Sequence, residues 1–345
     1  MSAATFLAGT LVVALNAYVL LGGADFGGGV WDLLALGTRK EAQRQLIAQA
    51  IGPVWEANHV WLILAIVLLF TCFPTAFARL VVPLNLPLTG VLIGIVLRGS
   101  AFAFRGYGGD RDAVQRRWGR VFAIASLVTP LLLGTALGAI AAGAVGSVAT
   151  GGRPAASFAA QYITPWLAPF PLSIGVVTLA CFAYLAATYL TLEAPAGALR
   201  EDFRRRALGS GVAVGAAALL ALVTAGTSAP LMRHGLIGSR WALPFQLLTG
   251  LAAIAGLAAL VRRRYALARV AVMLQVSLVL WGWAWSQYPY VVPPDLDVTT
   301  AAAPAATLQL VIGALALGAL VLVPSLVYLF RVFKSGDRPS AVSHP

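Results

Sequence analysis

The stretch TFLAGTLVVALNAYVLLGGADFGGGVWDLLAL, residues 5–36, decides the fold class. It contains no basic residue and exceeds the roughly 20 apolar residues that a bilayer-spanning helix requires. It is also too long for a signal-peptide core, and Met1-Ser2-Ala3-Ala4-Thr5 before it supplies no basic flank. The segment is therefore expected to stay in the protein as a membrane helix. Composition extends that reading to the whole chain. Of 345 residues, 60% are apolar and 10% are charged, against about 25% charged in an ordinary soluble domain.

Apolar runs separated by charged or Pro/Gly-rich breaks give nine expected spans: 5–36, 49–73, 76–99, 119–147, 166–194, 208–230, 244–261, 266–288 and 305–330. Basic residues test the count. Arg39, Lys40 and Arg44 follow the first span, Arg105, Arg111, Arg116, Arg117 and Arg120 the third, and Arg200 and Arg204–Arg206 the fifth. Arg262–Arg264 and Arg269 follow the seventh, and Arg331, Lys334 and Arg338 the ninth, whereas the opposite loops hold Arg153, Arg233 and Arg240. By the positive-inside rule the N-terminus is expected outside and the C-terminus in the cytoplasm, so the net charge of +12 marks cytoplasmic loops and not a nucleic-acid surface. Trp281, Trp283, Trp285, Tyr288 and Tyr290 gather where the eighth span should leave the membrane, a depth that suits amphipathic rings. Pro293-Pro294-Asp295 then prevents that helix from continuing.

The chain is thus expected to be an all-α polytopic membrane protein of one integral domain. Asn16-Ala17-Tyr18-Val19-Leu20 in the first span faintly echoes Phe182-Ala183-Tyr184-Leu185-Ala186 in the fifth. The echo suggests two four-helix bundles, 1–147 and 166–288, with a ninth helix at 305–330 and a cytoplasmic tail at 331–345.

Charges inside a membrane are expensive, roughly 2.5–3.5 kcal/mol each at a helix centre on insertion scales. Asp25, Glu56, Arg98 and Glu193 all fall in the cytoplasmic half of their spans, where they could form a partly paired, partly hydrated cluster. The alternative is four separate side chains reaching for the headgroups. Asp25 lies between Gly23 and Gly27, which share a helix face and allow another backbone to approach closely. A buried carboxyl there is a candidate for taking up and releasing protons. In Trp55-Glu56-Ala57-Asn58-His59-Val60-Trp61, Glu56 shares a face with His59, and Trp55 and Trp61 share one with Asn58. Glu56 and His59 are read as a proton relay, and the competing reading is a hydrogen-bonded contact with another subunit.

Chemistry of other kinds is poorly supplied. Cys72 and Cys181 show neither metal spacing nor a disulfide framework. The three histidines are His59, His234 and His344, and Met232 and Met273 have no evident opposed partner as haem ligands. No metal site is expected, no cofactor bound by the chain itself, and no catalytic group of its own.

Together these motifs resemble subunit II of the cytochrome bd quinol oxidases. The likeness rests on Gly23-Ala24-Asp25-Phe26-Gly27-Gly28-Gly29, on Gly52-Pro53-Val54-Trp55-Glu56-Ala57-Asn58-His59-Val60-Trp61-Leu62, and on Arg98 with Phe104-Arg105. Ala187-Thr188-Tyr189-Leu190 and Gln287-Tyr288-Pro289-Tyr290-Val291-Val292-Pro293-Pro294 complete it, the latter similar to the branch with cyanide-insensitive oxidases. The resemblance implies a haem-free subunit of a respiratory quinol:oxygen oxidoreductase in a bacterial cytoplasmic membrane. Its partner would be a subunit I holding haems b and d, with a small single-helix subunit as a further candidate. Membrane lipid and a structural quinone are the implied small-molecule partners. It further implies a cytoplasmic proton path through Asp25 and Glu56, framed by Trp55, Asn58 and Trp61, with Arg98, Tyr189 and Glu193 as secondary members. Glu56 stands where some relatives carry Asp. Two other readings stay open on the sequence: a proton-coupled secondary transporter, and a purely structural subunit.

Overall fold

The computed structural model describes residues 2–51, 55–107, 112–149 and 157–334. Among them, everything regular except a two-stranded ribbon is helical. The first half contains α1 (Ala3–Leu33), α2 (Lys40–Ile51), α3 (Trp55–Cys72), α4 (Pro74–Val81), α5 (Asn85–Tyr107), α6 (Asp112–Ala141) and α7 (Ala144–Ala149). Two short helices, α8 (Phe158–Tyr162) and α9 (Thr164–Leu167), lead into α10 (Pro169–Glu193) and α11 (Ala198–Ser228). Then come α12 (Pro230–Arg233), a π-helical turn at His234–Gly238, α13 (Ala242–Val261), α14 (Tyr265–Gln287), the ribbon β1 (Tyr290–Val292) and β2 (Leu296–Asp297), and α15 (Ala305–Lys334). Among the described residues, eight helices are long and apolar enough to cross a bilayer, and a ninth crossing is completed if α3 and α4 count as one bent span.

Several expected boundaries move, each for a local reason. The second span was expected from residue 49, but α2 is a separate helix ahead of α3. The third was expected from residue 76, yet Pro74–Val81 turns by 114° from α3, and the membrane-length helix begins at Asn85. Pro74 opens α4 after a non-helical Phe73, and Pro83 lies in the turn between α4 and α5. The expected fourth span ends early, because Gly143 adopts φ +68° between α6 and α7. The sixth begins ten residues sooner than expected, since Arg200 and Arg204–Arg206 belong to α11 and not to a loop. There Glu201 pairs with Arg204 at 2.6 Å and Arg205 at 3.5 Å, the i+3 and i+4 spacing that supports an exposed helix end. Residues 335–345 of the expected tail lie outside the described residues, as do 52–54 of the second motif.

The centre is made by helices that meet almost backbone to backbone. A Cβ at Gly27 of α1 would collide with the Phe182 carbonyl oxygen of α10, and one at Gly23 would lie 2.9 Å from the Phe182 ring. Gly134 of α6 comes as close to α10, where a Cβ would be 2.6 Å from the Gly175 Cα. Trp31 clamps the same crossing, its indole N–H donating to the Ala183 carbonyl at 2.8 Å. The main core, which includes Phe26, Phe182, Tyr184, Leu185, Phe203 and Leu260, gathers around α10. Outward faces are apolar: Leu92, Ile93 and Val96 on α5 and Leu310, Leu317 and Leu320 on α15 are exposed. On a soluble surface this would be a liability, and in lipid it is the expected belt. The ribbon, antiparallel with Tyr290 opposite Asp297 and Val292 opposite Leu296, packs beside α4 and α7 where the eighth span ends.

Candidate functional site

The polar groups at the centre of the first half are organised by Arg98. It reaches from α5 to α1, its Nη1 donating to Asp25 Oδ2 at 2.5 Å and its Nη2 to Asp25 Oδ1 and, at 3.0 Å, to the Asp25 carbonyl oxygen. Its Nε donates to Ser126 Oγ of α6 at 2.9 Å. The guanidinium also sits over the rings of Phe26 and Phe122, at 4.5 and 4.9 Å from their centroids. Both charged residues are 3% exposed. The forked geometry of Arg suits a carboxylate, and the two aromatic faces replace part of the hydration that the cation gave up. Glycines make room for it. A Cβ at Gly29 would overlap the Ser126 hydroxyl, and one at Gly94 would overlap Thr129 Oγ1.

A second set of buried polar atoms lies on α1, α3 and α6. Asn58 of α3 is 0% exposed, and neither its amide nitrogen nor its oxygen has a protein partner. The hydroxyl of Tyr18, the carboxamide oxygen of Asn16 and Thr129 Oγ1 are likewise buried without a partner. Tyr18 meets the half-buried His59 edge to face, with centroids 6.5 Å apart. Buried polar groups left open by the protein are the usual places for internal water. Trp61 is half-buried against the main core. The helix places Glu56 and Trp55 in the first turn of α3, and their side chains lie outside the described residues.

The expected cluster of four charges is only partly formed. Asp25 and Arg98 are brought together, but Glu193, the last residue of α10, is exposed and makes no ion pair among the described residues. The end of a membrane helix lets its side chain reach water, the reading weighed against a cluster. Tyr189 is half-buried one turn before it, its hydroxyl 3.5 Å from the Leu20 carbonyl and its ring under Arg269 at 4.8 Å. Two features escaped the sequence reading. Asp32 is 3% exposed and pairs with Arg44 of α2 at 3.8 Å. A network of Arg39, Asp202, Gln43 and Arg206 fastens α2 to α11, with Arg39 bidentate to Asp202 at 2.7 Å. That carboxylate holds the Arg39 guanidinium above its ordinary value, so it stays charged. Asp32 was findable: it lies seven residues after Asp25, two turns along the same helix face.

No group of three or more His, Cys, Asp or Glu among the described residues could hold a metal ion. The helices α1, α6 and α10 touch closely through Gly27, Gly134 and Gly175. At the end of the molecule where α1 begins, a cleft of about 280 Å³ is lined by Thr5, Val12, Phe73, Trp281, Trp285 and Tyr288, among others.

Comparison with known proteins agrees with this architecture. The family model described as cytochrome bd terminal oxidase subunit II matches residues 3–333. Cytochrome bd ubiquinol oxidase subunit 2 of Bacillus subtilis is 34% identical over 124 residues, 36% of each chain. Its Escherichia coli K12 counterpart, cytochrome bd-I ubiquinol oxidase subunit 2, is 28% identical over 52% of this chain and 46% of its own. These alignments thus span between about a third and a half of the relatives' length. A putative cytochrome bd menaquinol oxidase subunit II of B. subtilis aligns over 93% of this chain and 92% of its own, at 21% identity. A chain in the structure of bd oxidase from Geobacillus thermodenitrificans superposes with TM-score 0.77 over 96% of this chain and 99% of its own, at 21% identity, a likeness of fold.

Proposed function

The chain belongs to the cytochrome bd terminal oxidase subunit II family, and we propose that it serves as the haem-free subunit of a quinol:oxygen oxidoreductase. In this reading it supports a haem-bearing subunit I and gives protons from the cytoplasm a route toward the site where oxygen becomes water. Quinol oxidation releases protons outside while oxygen reduction consumes protons from inside, so the membrane is charged without a pump. The observation that carries the reading is the buried polar set on α1 and α3, where Asn58, Tyr18 and Asn16 present atoms with no protein partner, together with the buried Asp25–Arg98 pair that ties α1 to α5. Such a set is what an internal water file needs.

Roles divide within that set. Glu56, at the start of α3 with His59 one turn on, is the proton-carrying group. Asn58 and Tyr18 hold water along the route, and Trp55 and Trp61 wall it. Asp25, held by two guanidinium nitrogens, supplies a fixed negative charge that polarises the route. Tyr189 and Glu193 lie toward the cytoplasmic end of α10 and belong to the surface approach. When bound, the haems of subunit I supply the redox chemistry. This chain's residues orient water, hold protons and exclude lipid.

The wider arrangement follows the same reading. The N-terminus lies outside and the C-terminus in the cytoplasm of a bacterial membrane, supported by Arg39, Lys40 and Arg44 after α1 and Arg262–Arg264 after α13. Helices of residues 1–147 and 166–288 form two four-helix units, with α15 appended. The exposed faces of α15 offer contact area to subunit I or a single-helix subunit, and the indole-lined cleft suits an isoprenoid or acyl tail. Purification tests the assignment: the chain should bring with it a haem-rich partner with a bd-type spectrum. Recovery of a haem-free chain that carries a solute against a proton gradient would refute it.

A further inference from the structure

Asp32 takes no part in the roles above, yet it is buried in line with them. Along one face of α1 the residues Asp25, Gly29 and Asp32 follow at the four- and three-residue steps that stack on a helix. Gly29 has no side chain, and the space beside it is taken by the Ser126 hydroxyl, which also accepts from Arg98 Nε at 2.9 Å. The order down the face is therefore carboxylate, guanidinium, hydroxyl, carboxylate. The ladder covers about 10 Å of helix axis at 1.5 Å per residue. Thr129, one turn from Ser126 on α6, adds a fully buried hydroxyl without a protein partner on the same side. A bulkier residue at 29 would divide this ladder in two.

The lower end is covered. Arg44 of α2 places Nε 3.8 Å from Asp32 Oδ1 and 3.5 Å from the Asp32 carbonyl oxygen, while its own Nη1 faces Glu41 at 3.7 Å. The Arg44 side chain is 32% exposed and that of Asp32 is 4% exposed, so the pair spans the boundary between water and interior. From α11, Arg206 lies over the neighbouring Trp31 ring at 5.3 Å and donates to the Leu34 carbonyl at 3.1 Å. Its charge is balanced across Gln43 by Asp202. Among the described residues, Arg44 pairs with Asp32, Arg206 lies over the adjacent Trp31, and Arg98 sits two turns up.

We propose that Asp32 is the cytoplasmic uptake group of the buried polar ladder, covered by Arg44 of α2, and that protons reach the Asp25–Arg98–Ser126 level through it. This rests on the proton-path reading above and adds a residue and a cover to it. Uptake at Asp32 transfers one proton from cytoplasmic water to a carboxylate oxygen, and release passes it to water lying along Ser126, with no change of redox state. Asp32 positions and passes a proton without touching the reacting oxygen.

The test uses the purified oxidase complex containing this chain, assayed for oxygen consumption in ordinary and heavy water, with haem content read from the visible spectrum. Asp32→Asn is expected to slow turnover about a hundredfold, at the low end of what a lost acid–base group removes, with haem content unchanged and a larger solvent isotope effect. Asp32→Glu should restore both rate and isotope effect. Asp32→Ser keeps the site small and wet, and gives the same readout should the Asn variant fail to assemble. A slowed variant whose isotope effect stays native would make the Asp32–Arg44 pair a clamp and overturn the proposal. Glu56→Gln is run in parallel. If it is slow while Asp32→Asn runs at the native rate, the path survives and Asp32 is not its mouth. If both run at the native rate, both readings fall.

Discussion

Replacing Arg98 by Met removes the cation and leaves the Asp25 carboxylate in the centre of the protein. Arg98 supplies three of its nitrogens: two go to Asp25 and the third to Ser126, and both charged residues are 3% exposed. Losing one partner of a buried ion pair costs about 3–5 kcal/mol, because the other charge is stranded away from water. Two aromatic faces lose their cation as well, worth about 0.5–1 kcal/mol each at exposed sites and about 2 kcal/mol or more when desolvated. From the ion pair alone, at 1.4 kcal/mol per factor of ten, the folded-to-unfolded ratio should fall by about two to three and a half orders of magnitude. Asp25→Asn with Arg98→Met removes both charges and leaves neutral groups of similar size, so most of the loss should be recovered. The assay is thermal inactivation of the purified complex, followed by its haem spectrum, for the two single variants and the double variant. A double variant no more stable than Arg98→Met would show that the pair's charges are not what is being balanced. The argument from burial would then fail.

Three further outcomes follow from single observations. Gly27→Ala should prevent assembly, because its methyl meets the Phe182 carbonyl of α10, whereas Gly9→Ala, with nothing within 4 Å, should express and assemble normally. Equal yields of the two on a detergent gel would refute the close crossing. Asn58→Leu removes a buried amide that has no protein partner and keeps a side chain of similar size, so stability should hold while oxygen consumption falls. A destabilised variant with native turnover would place Asn58 in packing and not along water. Asp297 is held at about 2, chiefly by the Thr299 hydroxyl and then by the Thr300 amide. Because its folded value is depressed below the usual value of about 3.9, the stabilisation is complete above about pH 4 and is lost as the pH falls toward 2. Deuterium exchange of the 290–303 segment should therefore be slow and stay protected down to about pH 4, and Asp297→Asn should raise it at neutral pH. Unchanged exchange would show that these bonds do not hold the ribbon's end.

How much of this was legible in the sequence depends on which force fixed each feature. The long spans were legible, because lipid demands an unbroken apolar run and basic loops punctuate it: α10, α13 and α14 begin and end within about three residues of expectation. The Gly23–Gly27 spacing announced a close helix contact, and Phe182 is what it contacts. Helices α2 and α4 were not legible as separate elements. Each is short, and Phe73 and Pro74 decide a bend that apolar counting reads through. At the site, Asp25 and Arg98 were seen as charges at one depth, and their direct pairing matches that depth. Glu193 was grouped with them on depth alone. Its position as the last residue of α10 gives it a way out to water that Asp25 lacks. Asp32 was passed over because it lies near a span's end, where acids are ordinary. Only its heptad spacing from Asp25 distinguishes it.

The central claim is that protons for oxygen reduction pass through this chain, and one experiment addresses it directly. The complex carrying Glu56→Gln is placed in vesicles with its cytoplasmic face toward an external pH indicator. Proton uptake is recorded on a pulse of oxygen to the fully reduced enzyme, with haem oxidation followed in the same sample. The account predicts that the haems of subunit I begin to oxidise at the native rate while proton uptake lags by an order of magnitude or more. Uptake that keeps pace with haem oxidation in the variant would contradict it.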